Sequence, residues 1–507
     1  MAALSYRGKL VFVGDVEQAV ASQLKARSRL PLERHISHDI ISAMALPFSN
    51  TAGRTLERLR TAFVETALGA REVVGSPLRP DLPDDDIPRL KSRIDACLAG
   101  KGGETARRGR AAELGQAYLS LSPAGRKKFL LTLAHDYGLP REAAMAAVER
   151  WRASKEPPRA LARSLEAPAV RLLREFVGVP QGVKFVVDLR AELLALGRSD
   201  AAARTLSEDL RPLLGAWFDV GFLDLVRIDW RASAALLEKL VAYEAVHAIR
   251  SWRDLKNRLD SDRRCFAFFH PRMPEEPLIF VEVALVDGLA GNVQRLLDTK
   301  TETRDPACAN TAIFYSISNC QQGLAGISFG NFLIKRVAEQ LADELPNIKD
   351  FATLSPVPGL HQHLDGRLKS EGDTALTPGE IASLVPVINE AVGAAAVAAL
   401  LARPVWWEVP AIDKALRPIL TRLAAHYLTT TDEKGRALDR VAHFHLGNGA
   451  IVERLNWLAD TSANGLRQSY AMMVNYRYKL SDVDANHEAY ANGRIVASRE
   501  VRAAAKA

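Results

Sequence analysis

Apolar residues recur every three or four positions through much of the first 215 residues. The spacing is clear in segments 55–68 (TLERLRTAFVETAL), 110–121 (RAAELGQAYLSL) and 183–196 (VKFVVDLRAELLAL). Because such spacing lines one face of an α-helix, we predict helices from about residue 10 to about residue 215. Segment 76–88 interrupts the pattern with prolines and aspartates, which predicts an exposed loop inside the helical region. Its aspartates lack the alternating order of a calcium loop, so a solvated turn is favoured over a metal site.

After about residue 220, short runs of β-branched and aromatic residues replace this spacing. Four such runs predict strands, at 265–270 (CFAFFH), 278–285 (LIFVEVAL), 311–318 (TAIFYSIS) and 350–354 (DFATL). A glycine-containing turn and a helical stretch at 330–345 separate the third run from the fourth, which makes a β-loop-α-β unit. We therefore expect an α/β domain after the helical one.

The remaining segments of the second half receive simpler predictions. Residues 378–428 have helical spacing, and the apolar run 391–402 is too short for the roughly 20 residues that cross a bilayer, so it predicts a packed helix. Segment 441–446 (VAHFHL) predicts another strand. Asn448 is then placed to cap a helix in the amphipathic segment that follows, AIVERLNWLAD.

Length and charge restrict the class of protein. The chain has 507 residues with 67 basic and 60 acidic side chains, a net charge of +7. This length predicts two to four domains, and a charge so diluted lacks the dense Lys/Arg stripes of a nucleic-acid surface. The four cysteines are far apart and form no C-x-x-C pair, which argues against a zinc ribbon or a disulfide scaffold and favours a reducing cytoplasm. No export signal is readable, so we expect a cytoplasmic protein.

Glycines between the third predicted strand and its helix form the first candidate site. Gly323, Gly326 and Gly330 lie in the segment QQGLAGISFGNFLIKRV. Such a loop can turn backbone N–H groups outward at a helix N-terminus and cradle a pyrophosphate. A tight strand-to-helix turn without a ligand explains the glycines equally well. The segment is neither a Walker A loop nor a G-x-G-x-x-G dinucleotide motif.

Ser355 is the second candidate, in the segment TLSPVPG that ends the fourth predicted strand. Ligands of open α/β sheets bind at the carboxyl ends of strands, so this hydroxyl could hold or polarise a substrate group. G-x-S-x-G is absent, which excludes a nucleophile elbow. A serine before a proline turn is also an ordinary local cap.

Two histidines in HFHLGNGA form the third candidate site. On the predicted strand, His443 and His445 share a face and could ligate a metal, and His361 and His363 form a second H-x-H pair. No carboxylate or cysteine stands at ligand spacing near either pair, so a single histidine acting as a proton donor is the favoured interpretation. Tyr476 and Tyr478 occupy one face of a further predicted strand in NYRYKL, with either a substrate contact or simple packing as their role.

Together these segments resemble malonyl-CoA decarboxylases. The resemblance extends from about residue 165 to about residue 480 and is weak before residue 160. It rests on ten ordered strings: VKFVVDLRAELL, AVHAIRSW, RRCFAFFHP, PEEPLIFVEVAL, AIFYSIS, QQGLAGISFGNFLIKRV, LSPVPG, HFHLGNGA, RLNWLADTS and MVNYRY.

The resemblance implies a multidomain α and α+β protein. Residues 1–219 would form an all-helical domain used in oligomerisation, and residues 220–507 a catalytic domain with the GNAT (N-acetyltransferase-like) fold. The implied activity converts malonyl-CoA to acetyl-CoA and CO2 without a metal or organic cofactor. The implied assembly is a homo-oligomer, a dimer or tetramer, with no nucleic-acid or membrane partner.

Site residues follow by motif from the same resemblance. Ser355 and His445 match the family's catalytic serine and histidine, whereas His443 does not stand at the matching position. Some family members carry a glutamate where this chain has Ser328, so a catalytic role for that glutamate does not transfer. The residues implied to bind CoA or the substrate are Ala325, Gly326, Ile327, Ser328, Phe329, Gly330, Asn331, Ser316 and Tyr478.

The chemistry of a malonyl thioester agrees with these candidates. Loss of CO2 leaves an enolate, so the site must hold CoA, desolvate the carboxylate, stabilise the thioester oxyanion and protonate C2. We hypothesise that the 325–331 backbone binds pyrophosphate and that Ser355 and His445 form a hydrogen-bonded pair. Two alternatives stay open: a CoA-dependent acyltransferase of the GNAT type, which would need an acceptor channel, and a non-catalytic CoA-binding scaffold.

Overall fold

The computed structural model describes residues 4–6, 9–11, 51–69, 77–154, 157–327 and 333–506. The chain divides into two compact units, the first from Met1 to Asn50 and the second from Thr51 to Ala507. In the first unit, strands β1 (Leu4–Tyr6) and β2 (Lys9–Val11) pair antiparallel. The helices predicted between β2 and residue 51 lie outside the described residues. The division at 219/220 stays a prediction.

The second unit is mainly helical up to residue 217, which confirms the helices that the apolar spacing predicts there. Phe185 explains how their apolar faces meet, because its ring lies 5.1 Å from that of Phe63 and 4.7 Å from that of Phe176. Aromatic pairs at such spacing fill a helical core with little rotational freedom. The helices are α1 (Thr51–Gly69), α2 (Ile87–Leu98), α3 (Glu104–Ser120), α4 (Pro123–Asp136), α5 (Arg141–Ala153), α6 (Pro158–Ser164), α7 (Pro168–Glu175), α8 (Gly182–Leu196) and α9 (Ala201–Trp217).

The connection before α2 is less exposed than the sequence predicts. Asp84–Asp86 form a single 3-10 turn, and the Asp86 side chain is buried. Its carboxylate accepts hydrogen bonds from the Arg79 backbone N–H at 2.8 Å and from Arg89 Nη1 at 2.9 Å. Asp86 therefore anchors the loop to α2, because a buried carboxylate needs partners of this kind.

A mixed sheet follows, and all four predicted strands are present in it. The strands pair in the order β3-β4-β5-β6-β7-β10. β8 follows β7 along the same edge of β10, and β9 pairs with the opposite edge of β10. Neighbours are antiparallel except for β6 and β7, which run parallel across the β-loop-α-β unit. The strands are β3 (Asp224–Ile228), β4 (Arg263–Phe269), β5 (Ile279–Val286), β6 (Thr311–Asn319), β7 (Asp350–Thr353), β8 (Ser355–Pro356), β9 (Ile451–Asn456) and β10 (Met473–Tyr478).

Helices cover the sheet and complete the second half of the chain. The apolar run at 391–402 forms a helix whose Ala396, Val397 and Leu400 are buried, as predicted. No helix among the described residues is long and apolar enough to span a membrane. These helices are α10 (Ala234–Tyr243), α11 (Trp252–Arg258), α12 (Val293–Leu296), α13 (Leu333–Glu344), α14 (Leu360–Glu371), α15 (Pro378–Leu384), α16 (Gly393–Leu401), α17 (Pro410–Thr429), α18 (Arg440–Gly447), α19 (Ala463–Ser469), α20 (Val483–Ala491) and α21 (Arg499–Lys506).

The predictions of a strand at 441–446 and of a helix in the segment 450–460 are both wrong. Residues 441–446 belong to helix α18, and residues 451–456 form strand β9. Residues 441–446 are helical because the Asp439 carboxylate caps the helix: it accepts hydrogen bonds from the N–H groups of Val441 and Ala442 at 2.8 and 3.0 Å. Asn448 ends this helix instead of starting another, since its own N–H bonds the carbonyl of Phe444.

A break in one strand opens the sheet where the chemistry lies. β7 and β8 pair with β10 in the same register, and the pairing is interrupted between them at Leu354. There the N–H of Tyr476 bonds the side-chain Oγ1 of Thr353, at 3.0 Å, instead of a backbone carbonyl. β6 stops pairing with β7 at Phe314 and continues along β5. The diverging ends of β6 and β8 leave a gap in the sheet.

Candidate active site

Ser355 and His445 meet at this gap. Ser355 is the first residue of β8, and His445 lies in the last turn of α18. Ser355 Oγ lies 3.1 Å from His445 Nε2, although the residues are 90 positions apart in the chain. Both side chains are buried. Ser355 Oγ also donates a hydrogen bond of 2.8 Å to Thr353 Oγ1.

Two tyrosines of β10 hold the imidazole of His445. Its ring stacks on that of Tyr476, with centroids 4.6 Å apart, and its Nδ1 lies 2.8 Å from the hydroxyl of Tyr478. The two tyrosines share one face of the strand, as the alternation predicts. Tyr478 is fully buried behind the histidine, so it contacts His445 and does not line the cavity described below.

Burial keeps His445 neutral. The surrounding apolar matrix disfavours the imidazolium and lowers the pKa of His445 to about 3. Because the Ser355 hydroxyl donates its proton to Thr353, its oxygen accepts from the imidazole, and the hydrogen-bond network assigns the imidazole proton to Nε2. Nδ1 then accepts a hydrogen bond from the Tyr478 hydroxyl. His445 therefore presents a neutral N–H to Ser355 at neutral pH.

A cavity of about 430 Å³ lies in front of this pair. Its walls are the diverging ends of β6 and β8, the first turns of α18 and the segment after α10. Apolar side chains make up about half of the lining, and they leave an anion beside them poorly solvated. The lining residues are Ala245, Val246, His247, Phe314, Tyr315, Ile317, Asn319, Ser355, Pro356, Pro358, Arg440, Val441, Phe444, His445, Asp460, Asn464 and Gln468.

Glu244 shapes one wall of the cavity, and motif reasoning did not find it. The buried Ser316 hydroxyl donates to the Glu244 carboxylate and lies 2.8 Å from both carboxylate oxygens. The carboxylate also accepts hydrogen bonds from the backbone N–H groups of Val246 at 2.9 Å and His247 at 2.6 Å. Ser316 thus supports the wall from behind and is not itself among the lining residues. The available signal was an acidic residue directly after an apolar helix, in the string EAVH.

Two further polar residues of the lining also escaped prediction. Nε2 of His247 is buried and has no hydrogen-bond partner within the described part of the chain, and burial lowers the pKa of this imidazole. Arg440, the first residue of α18, places an exposed guanidinium at the rim. His247 lies in the string AVHAIRSW, which assigns it no role, and Arg440 lies outside the ten strings, so their convergence depends on the folded chain.

The glycine loop begins beside the same gap. After β6, residues 322–324 form a 3-10 turn, followed by Ala325, Gly326 and Ile327. Gly326 has φ +74°, a backbone conformation that suits glycine. Ser328, Phe329, Gly330 and Asn331 lie outside the described residues. Binding of CoA by this loop stays a prediction.

The histidine pairs do not converge as metal ligands. On helix α18, His443 turns to the Tyr490 hydroxyl, while His445 faces Ser355. On α14, His361 stacks on Tyr470, and His363 lies against Tyr427. The strand predicted at 441–446 would place His443 and His445 on one face, whereas residues two apart on a helix point in different directions. Within the described ranges, no three or more His, Cys, Asp or Glu side chains form a group that could hold a metal ion.

Fold and site together define the class of protein: a helical region followed by an α+β domain built on a mixed sheet, with a buried Ser–His pair where the sheet opens. Comparisons with known proteins identify the family. Residues 137–218 match the malonyl-CoA decarboxylase N-terminal domain, and residues 221–507 match the malonyl-CoA decarboxylase C-terminal domain. The chain belongs to the malonyl-CoA decarboxylase family.

Individual relatives agree with this assignment. The chain is 37% identical over 412 residues to the mitochondrial malonyl-CoA decarboxylase of Anser anser anser, covering 77% of this chain and 82% of the goose protein. It is 38% identical over 332 residues to the mitochondrial enzyme of Mus musculus, covering 63% and 67% of the two chains. The crystal structure of malonyl-CoA decarboxylase from Rhodopseudomonas palustris superimposes with a TM-score of 0.75 at 41% identity, covering 82% of this chain and 99% of that one. The crystal structure of malonyl-CoA decarboxylase from Agrobacterium vitis superimposes with a TM-score of 0.74 at 40% identity, again covering 82% of this chain and 99% of that one.

Proposed function

We propose that the chain decarboxylates malonyl-CoA to acetyl-CoA and CO2, with Ser355 and His445 acting on the malonyl group and without a metal or organic cofactor. The observation that carries the proposal is the 3.1 Å contact between Ser355 Oγ and His445 Nε2 at the wall of a cavity. Membership of the family supports the substrate.

The apolar lining supports the first step. A malonyl carboxylate that enters this cavity exchanges water for the side chains of Val246, Ile317 and Phe444. Desolvation raises the energy of the carboxylate more than that of the enolate, whose charge is spread over the thioester. The bond between the carboxylate carbon and C2 breaks, CO2 leaves, and the electron pair stays on C2 and the thioester oxygen.

The neutral imidazole supports the second step. Donors aimed at the thioester oxygen stabilise charge that develops there. Ser355 and His445 both line the cavity, and a thioester oxygen placed beside Ser355 Oγ would share the His445 Nε2–H with it. The Nε2 proton then passes to C2, either directly or through Ser355, and forms the methyl group of acetyl-CoA. The Tyr478 hydroxyl stabilises the charge left on the ring through Nδ1, and water returns the proton.

The test of the proposal is to incubate the purified chain with carboxyl-labelled malonyl-CoA alone, in the presence of a chelator. We expect labelled CO2 and acetyl-CoA in equal amounts. CoA binding without CO2 would contradict the proposal and favour the acyltransferase or the scaffold. A requirement for added metal would contradict the cofactor-free mechanism. Ser355→Ala provides the control for contaminating activity.

We also propose a homo-oligomer, a dimer or tetramer, built through the helical region. Exposed apolar side chains there support it: Leu68 is 67% and Met145 59% exposed. Light scattering of the purified chain distinguishes it from a monomer. We retain a cytoplasmic location as a proposal, supported by the buried thiols of Cys265 and Cys320, although the vertebrate relatives are named mitochondrial. Cell fractionation with an antibody tests the location.

A further inference from the structure

Arg190 of helix α8 is fully buried beneath the glycine loop. Its Nε donates to the carbonyl of Ser207 in α9 at 3.1 Å. Its Nη1 donates to the carbonyls of Gly323 and of Ala325, the latter at 3.1 Å. The described hydrogen bonds of this guanidinium thus all end on backbone carbonyl oxygens. A buried positive charge held in this way remains uncompensated by a directly bonded carboxylate.

Gly323 makes the contact between the loop and the helix possible. A Cβ built on this residue would lie 1.7 Å from the carbonyl oxygen of Val187 in α8. No real side chain tolerates that distance, so the loop follows the helix backbone closely only with glycine here. Gln321 adds a second anchor, because its Nε2 donates to the carbonyl of Pro277 at 2.9 Å.

The opposite side of the turn stays open. Among the described residues, no atom lies within 4 Å of a Cβ added to Gly326. Leu324 and Ile327, on either side of it, are buried. Arg190 holds the carbonyls of 323 and 325 inward, and this fixes the orientation of the peptide units whose outer edge faces solvent.

We propose that Arg190 is a positioning residue for the CoA phosphates: it pins the turn at 323–325 and supplies positive potential from below without contacting the ligand. This inference rests on the proposed function, because it takes the loop to bind CoA. The helical region would then contribute to the active site through α8. Phosphates carry the charge that such a buried cation attracts.

Two kinds of substrate test the inference. Malonyl-CoA carries the phosphates, whereas malonyl-N-acetylcysteamine presents the same thioester without them. We expect Arg190→Lys and Arg190→Met to raise KM for malonyl-CoA and Kd for CoA by about 10-fold or more, with kcat changed less than about 3-fold. For the short thioester, kcat/KM should stay within about 2-fold of wild type. If Arg190 had only a structural role, its replacement would lower kcat/KM for both substrates by the same factor.

Gly323→Ala gives an independent route if the arginine variants fail to fold. It should displace the turn from Val187 and show the same selective loss for malonyl-CoA. Gly379→Ala on α15 is the matched control, since no atom lies within 4 Å of its added Cβ. Calorimetry with CoA measures Kd without any turnover.

Unchanged Kd for CoA in the folded arginine variants, or equal losses with both substrates, would overturn the inference. Weakened CoA binding in the variants, together with a wild-type chain that releases no CO2, would contradict the proposed function and leave the inference standing.

Discussion

His445 works in a setting that removes the ordinary acid–base behaviour of histidine. Its ring is buried between Tyr476 and two hydroxyl groups, and burial lowers its pKa to about 3. An imidazolium is therefore not the proton source at neutral pH. A neutral N–H that serves as a hydrogen-bond donor and a proton donor is a known use of histidine when its pKa is depressed.

Replacing His445 by alanine should lower kcat by about 100-fold or more, the range of general acid catalysis, and change Kd for CoA much less. Steady-state kinetics with malonyl-CoA and calorimetry with CoA check this. His443→Ala is the control, because that ring contacts Tyr490 on the other side of the helix. Near-normal turnover of the His445 variant would contradict its assigned role.

The pKa of His445 also predicts how stability depends on pH. An unfolded histidine has a pKa of about 6.5, and burial lowers that of His445 to about 3, so the native state binds fewer protons in this interval. The contribution of neutral His445 to the free energy of unfolding is therefore fully present above pH 6.5 and is lost as the pH falls toward 3. From pH 7 to pH 4.5, wild type should lose about 2 to 3 kcal/mol more than His445→Gln in urea unfolding. Parallel losses would contradict the neutral assignment, and His135→Gln controls for an exposed histidine.

At the scale of elements, helix α18 depends on its N-cap. Asp439 is buried and accepts the N–H groups of Val441, Ala442 and, from the neighbouring turn, Gly359. Its carboxylate therefore ties the start of the helix that carries His445 to the chain that leaves β8. We expect a displacement at this cap to move the imidazole, which lies about one and a half turns further along the helix.

Asp439→Ala should lower stability by about 1 to 2 kcal/mol and also lower kcat, because the cap positions His445. Asp200→Ala removes an equivalent cap, on α9, whose side chain accepts the Ala203 N–H at 2.8 Å. That variant should lose similar stability in urea unfolding and keep its kcat. Equal kcat in both variants would show that α18 holds His445 without its cap.

At the scale of the whole molecule, a buried ion pair connects the helical region to the sheet. Lys239 Nζ lies 2.7 Å from Glu276 Oε1, and both side chains are about 5% exposed. The same oxygen accepts the Thr55 hydroxyl of α1 at 3.1 Å. Glu276 therefore joins α1, α10 and the turn after β4, and the unit that begins at Thr51 cannot separate there without exposing a desolvated charge.

Lys239→Met should destabilise the protein by about 3 to 5 kcal/mol, because it leaves Glu276 buried and unpaired. The double variant Lys239→Met/Glu276→Gln should recover part of this loss. Arg152→Met, which breaks an ion pair with both partners 70% exposed, should cost less than about 1 kcal/mol. Urea unfolding measures all three, and a Lys239 variant as stable as the Arg152 variant would contradict the assigned importance of the pair.

The sequence by itself determined the features that depend on neighbours along the chain. Helical periodicity located α1, α3 and α8, and β-branched runs located β4 to β7, because a buried face imposes its own period on the residues that form it. Ser355 at a strand end and the paired tyrosines of β10 were predicted for the same reason. Family motifs then marked His445.

Tertiary structure decided the remainder. The short segments 441–446 and 451–456 carry apolar residues compatible with either period, and the cap at Asp439 and the pairing of β9 with β10 settle them. The contact of Ser355 with His445 joins residues 90 positions apart, and the wall at Glu244 is set by Ser316 on another strand. Such contacts leave no local period in the sequence, since they form only when separate elements pack together and exclude water between them.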